Sequence, residues 1–240
     1  MELVSPLAFL YAFLTAPLSA SPLSISWSHP STLLAALFIT HYFNRSLVSP
    51  LRTPSRSRSH ISVNVSGAVF NLANGFSIGA YLSSPSAHAF LAGAYTRPLF
   101  FVGVAIWATG FVGNILHDET LLNIRRKAKA KREATGTGEY YGIPQGMLYG
   151  LVSFPNYLCE WFEWSGFALS AAALPAISLS QLSIWSLAHK GIPETVTPPW
   201  IFAVSEVLLM LPRAYRGHQW YLEKFPDYPK QRKAVVPFIL

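Results

Sequence analysis

Six long apolar runs, separated by polar connectors, limit what this chain can fold into. They are residues 3–20, 32–48, 63–82, 98–116, 147–179 and 199–211. A helix needs roughly 17–25 residues to cross a bilayer, so the sixth run needs its flanks and the fifth has enough length to bend or re-enter. Charged residues make up only 12% of the chain, far below the share in soluble domains. The pattern predicts an all-α, polytopic integral membrane helical bundle of about six transmembrane segments, with residues 1–240 forming a single domain.

Positive charge is distributed unevenly among the connectors. Of the 18 Lys and Arg residues, four lie between the second and third runs, six in residues 125–132 and six in the tail from 213 to 233. Only Arg97 and Lys190 fall in the alternate connectors. Because Lys and Arg accumulate on the cytosolic side of membrane proteins, we expect these three segments, including the basic C-terminal tail, to face the cytosol. The net charge of +7 then lies at the membrane edges and requires no nucleic-acid partner.

The connector after the fourth run begins with alternating basic residues and alanines and then becomes rich in Gly and Thr. This composition predicts a loop over residues 126–138. Gly136, Gly138 and Gly142 have the spacing G-x-G-x-x-x-G, which differs from the dinucleotide-binding fingerprint, and the pattern predicts no strand before them. We therefore expect no Rossmann-type nucleotide site in this connector.

Polar side chains recur on one face of the predicted fourth helix. Asn114, Asp118, Leu121 and Arg125 follow i, i+4, i+7, i+11 spacing, which places them in one stripe of a continuous helix. A stripe that starts at membrane depth and ends in the basic connector can hold the polar groups of a ligand and an anionic group at the surface. The alternative is an ordinary helix end, with snorkelling arginines and an amide bonded to a neighbouring helix.

The fifth run carries a second polar stripe. Asn156, Glu160, Glu163 and Trp164 share one helical face. A carboxylate at hydrocarbon depth costs a few kcal/mol on insertion scales and is usually paired or functional. The stripe therefore favours a binding or catalytic site. The alternative is that both acids pair with Arg or His on other helices for structural reasons.

A tyrosine with basic neighbours lies near the end of the second run. Tyr42 follows His41 and precedes Arg45, so it can serve as a polarised hydroxyl donor, although such clusters also occur in interfacial aromatic belts. The other histidines are scattered along the chain and form no H-x-x-x-H pair. We therefore expect no metal site.

Six blocks of the sequence stand out together: HYFNRSL at 41–47, FNLANGFSIGAYL at 70–82, GNILHDETLLNIRR at 113–126, YGIPQGMLY at 141–149, NYLCEWFEWSGFAL at 156–169 and RAYRGHQWYLEKFPDYPKQRKAVVPFIL at 213–240. These blocks resemble the steroid 5α-reductase family of integral-membrane, NADPH-dependent ene reductases. They cover nearly the whole chain, and the strongest regions are 113–169 and 213–240. Members of this family usually carry one further membrane helix before the region that matches residue 2, so the chain resembles a member that lacks its first helix.

The resemblance implies roles for individual residues. Tyr42 is similar to the family's catalytic tyrosine, and Glu2 is similar to its partner acid. Asn74 matches an amide on the third segment. The residues that resemble the lining of the cofactor cavity are Asn114, Asp118, Arg125, Tyr141, Asn156, Glu160, His218 and Tyr221.

The resemblance also implies an activity and a location. We expect NADPH-dependent reduction of the C=C bond of an α,β-unsaturated lipid carbonyl, with a 3-oxo-Δ4-steroid reduced to the 5α-steroid. We expect a monomeric enzyme of the endoplasmic reticulum membrane whose lipid or steroid substrate enters from the bilayer. The alternatives are a trans-2-enoyl-CoA or polyprenol reductase of the same family, and a truncated, non-catalytic membrane paralogue.

Overall fold

A computed structural model describes residues 1–20, 26–54, 60–136, 141–176 and 196–240, and this part of the chain is helical. Its α-helices are α1 (Val4–Thr15), α2 (Pro30–Phe43), α3 (Ser49–Arg52), α4 (Ile61–Leu82), α5 (Pro85–Leu91), α6 (Pro98–Thr135), α7 (Pro155–Ala171) and α8 (Pro198–Lys224). Pairing of β type in these residues is limited to an isolated parallel bridge between Val152 and Lys233. The prediction of an all-α fold is confirmed.

Helix starts follow the prolines of the sequence. Proline is the first residue of five of the α-helices longer than four residues, at Pro30, Pro85, Pro98, Pro155 and Pro198. A helix has no acceptor for its first N–H groups, so a proline there removes a donor that would otherwise be unsatisfied. Side chains cap other free N–H groups: Ser84 Oγ accepts from the Ala87 N–H at the start of α5.

The longest helix, α6, extends well beyond the fourth apolar run. It continues for 38 residues to Thr135, and the prediction of a loop from residue 126 is wrong up to that point. Alternating Ala, Lys and Arg are good helix formers, and they keep the helix intact until Gly136 adopts a left-handed conformation. The last two residues of the predicted loop, 137 and 138, lie outside the described part of the chain. Among the described helices, α6 is long and apolar enough to cross a membrane.

The other apolar runs match helices with shifted ends. The second run ends in a five-residue π-helical turn, Asn44–Val48. The fifth run is divided into a 3₁₀ turn, Met147–Gly150, and helix α7, which begins at Pro155; its end overlaps residues 177–195, which the structure does not describe. The sixth run continues as α8 through the start of the basic tail. The predicted number of about six membrane spans stays a prediction.

Close packing of α6 against α7 forms the seam on which the polar stripes face each other. A side-chain carbon added at Gly110 of α6 would lie 2.5 Å from the Cys159 carbonyl oxygen. One added at Gly166 of α7 would lie 2.5 Å from the Trp107 backbone nitrogen. Small residues that let two helix backbones approach closely are typical of helix pairs in membranes. Next to the seam, aromatic rings of α2 and α7 form the core, with the Phe38 and Trp164 centroids 5.8 Å apart.

We predict that Gly110→Ala destabilises the protein, because the added methyl group forces the two helices apart. Overpacking of this kind typically costs about 1–3 kcal/mol. The matched control is Gly150→Ala, since an added side-chain carbon at Gly150 meets no atom within 4 Å. The measurement is the melting temperature of each purified variant in detergent. A Gly110→Ala protein that melts at the same temperature as Gly150→Ala would contradict the described seam.

Candidate active site

Two adjoining cavities lie between the first residues of the chain and helices α2, α3, α4, α6, α7 and α8. The outer cavity has a volume of about 420 Å³ and is lined by Arg45, Ser49, Thr53, Asp118, Leu121, Leu122, Ile124, Arg125, Tyr141, Gly142, Phe154, Asn156, Tyr157, Arg213, Gly217, Trp220 and Tyr221. The inner cavity has a volume of about 260 Å³ and is lined by Met1, Glu2, His41, Tyr42, Arg45, Phe70, Asn71, Tyr157, Glu160, Trp164, Phe202, Glu206, Leu209, Met210 and Arg213. Arg45, Tyr157 and Arg213 belong to both walls, so the two cavities are neighbours.

Five of the residues expected to contact a cofactor line the outer cavity. Asp118 and Arg125 come from the predicted stripe of α6, which is a continuous helix through both residues. Asn156 comes from the first turn of α7, Tyr221 from α8, and Tyr141 from the segment that precedes the 3₁₀ turn. The stripe, predicted from spacing alone, therefore faces a cavity at Asp118, Leu121 and Arg125.

Hydrogen bonds across the α6–α7 seam hold the polar groups of this cavity in place. Asn156 Nδ2 donates to Asp118 Oδ1 at 2.9 Å. Asn114 is buried and is not among the residues that line the two cavities. Its Nδ2 donates to Glu160 Oε2 at 3.1 Å and to the Asn156 carbonyl oxygen at 3.3 Å. Asn114 thus fixes the orientation of two residues that do line the cavities.

Arg45 connects the two cavities and lies on the π-helical turn that follows α2. Its Nη1 lies 3.7 Å from Asp118 Oδ2, and its Nε lies 3.5 Å from Glu2 Oε2. From the sequence, Arg45 was expected as a charge of a cytosolic connector and as a basic neighbour of Tyr42, but not as a residue that lines a cofactor cavity. Single π-helical turns often occur at functional sites because the extra residue redirects side chains, and that rule would have pointed to Arg45 only once the turn was known.

The hydroxyl group of Tyr42 faces the inner cavity from the end of α2. The tyrosine is 4% exposed, and its oxygen accepts a hydrogen bond from Asn74 Nδ2 at 3.1 Å. Asn74 supplies the hydrogen in that bond, so the bond itself does not use the hydroxyl hydrogen of Tyr42. Glu2 lines the same cavity, and its carboxylate lies against Arg45. The amide that the resemblance singled out at position 74 is therefore the contact partner of Tyr42.

The two carboxylates of α7 have different surroundings. Glu163 is fully buried, and its Oε1 lies 2.6 Å from His41 Nδ1. The His41 ring in turn packs against the Trp164 ring. This is the structural pairing that the sequence analysis left open as an alternative. Glu160 lines the inner cavity, where its described side-chain hydrogen bond comes from the Asn114 amide. One acid of the stripe therefore joins helices, while the other faces the cavity.

His218 lies outside the walls of both cavities. Its Nδ1 lies 2.6 Å from Ser153 Oγ, which in turn lies 2.6 Å from the Tyr228 hydroxyl, so the imidazole joins α8 to the tail. Burial lowers the pKa of His218, and the Lys233 cation lowers it further. The preceding residue, Gly217, lines the outer cavity instead.

The C-terminal tail holds the segment that carries the IPQG sequence. Arg232 is buried; its Nη1 donates to the Pro144 carbonyl oxygen at 2.9 Å, and its Nη2 donates to Gln145 Oε1 at 2.8 Å. On the other side of the segment, the Leu148 N–H donates to His117 Nε2 at 3.3 Å. Neither contact was predicted, because both join residues far apart in the sequence.

The wall residues that were not predicted as site residues include Tyr157, Glu206, Arg213 and Trp220. Glu206 could have been found from the sequence, since it is the single charged residue of the sixth apolar run. A charge within such a run indicates function by the same argument that selected Glu160.

A family model described as 3-oxo-5-alpha-steroid 4-dehydrogenase matches residues 57–192 and 183–240. The chain belongs to this family. The family's enzymes are oxidoreductases that act on CH–CH groups, and the resemblance inferred from the sequence blocks is confirmed.

Relatives from fungi and mammals match along most of the chain. An uncharacterised protein of Schizosaccharomyces pombe is 38% identical, with 100% of this chain and 82% of the relative covered. The 3-oxo-5-alpha-steroid 4-dehydrogenase 1 of Mus musculus is 36% identical, with 88% and 69% covered. The human 3-oxo-5-alpha-steroid 4-dehydrogenase 2 is 33% identical, with 92% and 73% covered.

We predict different effects on stability for the same substitution at the two acids of α7. Glu163→Gln should destabilise the ligand-free protein by about 1–3 kcal/mol, because an amide donor replaces a buried oxygen, Oε2, that has no hydrogen-bond partner in the described residues. Glu160→Gln should leave the ligand-free melting temperature nearly unchanged, since a glutamine oxygen can still accept from Asn114. Thermal melting of both variants without ligand measures the difference. A large loss of stability in Glu160→Gln would show that Glu160 also has a structural role.

Proposed function

We propose that this chain is an NADPH-dependent reductase that converts a 3-oxo-Δ4-steroid into its 5α-steroid within the endoplasmic reticulum membrane. The observation that carries the proposal is the buried Tyr42 hydroxyl, which faces a cavity that adjoins a second, cation-lined cavity at Arg45. Membership of the steroid 4-dehydrogenase family supports it. The bundle of about six spans, with its basic tail in the cytosol, and the monomeric state are part of the same proposal.

The chemistry of the outer cavity fits a phosphorylated dinucleotide. Arg125 and Arg213 supply cations for phosphate groups, which arginine binds well. Trp220 and Tyr221 supply aromatic faces on which an adenine ring can stack, and Asn156 and Asp118 supply groups that bind sugar hydroxyls. Glu160, on the inner side, can accept from the carboxamide of a nicotinamide ring. NADPH, when bound, supplies the hydride for the reduction.

Tyr42 is suited to stabilise the charge that develops on the substrate. Addition of a hydride to the β-carbon of an enone places negative charge on its carbonyl oxygen, and a hydrogen-bond donor aimed at that oxygen lowers the barrier. Tyr42 can donate this hydrogen bond because Asn74 already occupies an acceptor position on its oxygen. The apolar walls around it, including Phe70, Trp164 and Phe202, exclude water from the reacting groups.

The test is direct. Purified protein is incubated with NADPH and a panel of steroid enones, and mass spectrometry measures a gain of two hydrogens. A competition assay between enoyl-CoA and a steroid distinguishes a steroid reductase from an enoyl-CoA or polyprenol reductase. The names of the relatives do not favour the enoyl-CoA or polyprenol alternative. No turnover of any lipid enone would refute the proposed reaction, and nucleotide binding without turnover would indicate a non-catalytic paralogue.

We predict that Tyr42→Phe abolishes reduction but retains expression and NADPH binding, because the variant loses a hydroxyl group and keeps the ring. Tyr11→Phe is the control: it removes a hydroxyl from a residue that is 65% exposed and lies in neither cavity wall. The rate of steroid reduction at saturating NADPH is the measurement. If Tyr42→Phe keeps half of the wild-type rate, Tyr42 is not the hydrogen-bond donor.

We predict that Arg125→Ala weakens NADPH binding by about tenfold or more, since a charge-assisted contact contributes about 1.5–3 kcal/mol. Lys129→Ala, one turn further along α6, is the control, because Lys129 is exposed and pairs with Glu133 outside the cavity. Titration with NADPH, followed by nucleotide fluorescence, gives both dissociation constants. If the two variants bind NADPH with equal affinity, Arg125 does not contact the cofactor and serves only as a charge that sets the membrane orientation.

A further inference from the structure

Glu206 places a carboxyl group in the wall of the inner cavity. It lies on α8, one turn after Phe202 and one turn before Met210, and all three residues line the cavity. The Phe202 ring lies 4.6 Å from the Trp164 ring, whose centroid is 6.1 Å from that of Tyr42. Glu206 and Tyr42 therefore belong to one chamber but lie on different helices, so that a single bound molecule can contact both.

The carboxyl group of Glu206 makes no hydrogen bond or close ion pair with the described residues. The other acids near the cavities each have such a partner: Arg45 for Glu2, Asn156 for Asp118, Asn114 for Glu160 and His41 for Glu163. On its own helix Glu206 is flanked in the wall by Phe202, Leu209 and Met210, while the charged residues of the same wall, such as Glu160 and Arg213, make no hydrogen bond or close ion pair with it in the described part of the chain. A polar group in such surroundings is costly unless something satisfies it, and the cavity side is where a ligand can do so.

We propose that Glu206 forms a polar subsite that binds a hydroxyl group of the lipid substrate. A hydroxyl fits because it can donate to a carboxylate and accept from a carboxylic acid, whereas a ketone can only accept. The subsite thus selects hydroxylated over non-hydroxylated steroids. This inference rests on the proposed reductase function and adds a feature of its substrate.

Paired substrates test the inference. The two steroids share the 3-oxo-Δ4 enone, and one of them carries an additional hydroxyl group elsewhere on the ring system. Glu206→Leu should lower kcat/KM for the hydroxylated steroid about tenfold to hundredfold, mainly through KM, because the site can no longer bind its hydroxyl. The value for the non-hydroxylated steroid should stay within about twofold of wild type by the same argument.

Two further variants keep the comparison interpretable. Glu206→Gln retains the shape and one acceptor, so it should keep part of the preference if Glu206→Leu folds poorly. Glu223→Leu removes an exposed acid of the same helix that lies in neither cavity wall, and it should keep the full preference. An equal change for both steroids in Glu206→Leu and Glu206→Gln, or no change for either, would overturn the subsite.

Failure of the reaction and failure of the subsite have different signatures. If wild-type protein reduces neither steroid, the proposed function fails, and the same two steroids are then compared as ligands by thermal shift. A larger shift with the hydroxylated steroid that disappears in Glu206→Leu and persists in Glu223→Leu supports the subsite without turnover. Equal shifts with both steroids in the wild-type protein, or no shift with either, overturn it.

Discussion

The close contact between α6 and α7 is the constraint on which the described site depends. Glycines at the seam let the backbones of α6 and α7 come so close that an added side-chain carbon would not fit between them. Only at this separation can the short amide side chains of one helix reach the other. Asn114 and Asn156 bridge the seam and orient Glu160 and Asp118, one for each cavity. Hydrogen bonds of this kind can stabilise a helix pair where the surroundings are apolar. The same groups that join the helices therefore also shape the site.

Much of the fold and part of the site followed from the sequence alone. Apolar runs gave the positions of the main helices, and 3.6-residue spacing placed Asp118, Leu121 and Arg125 on one cavity wall. The family blocks pointed to Tyr42 and Asn74, which the structure brings into contact. These features depend on local periodicity or on motifs, and both can be read along the chain.

What could not be predicted depends on contacts between distant residues. Charge composition suggested a loop after residue 126, although the same residues have high helix propensity and extend α6. Glu163 and Glu160 could not be told apart by spacing, because only the position of His41 on another helix separates a structural acid from a cavity acid. His218 was selected through its motif, and the fold turns it towards Ser153.

The π-helical turn at Asn44–Val48 has a consequence for how the chain can vary. A regular α-helix advances about 100° per residue, so loss of one residue from this turn would rotate whatever follows relative to Tyr42. Arg45 would then leave the boundary between the two cavities, even if every side chain kept its chemical type. We infer that chain length is under stronger constraint in this segment than residue identity. Insertions and deletions among functional relatives should therefore avoid it and accumulate in the connectors.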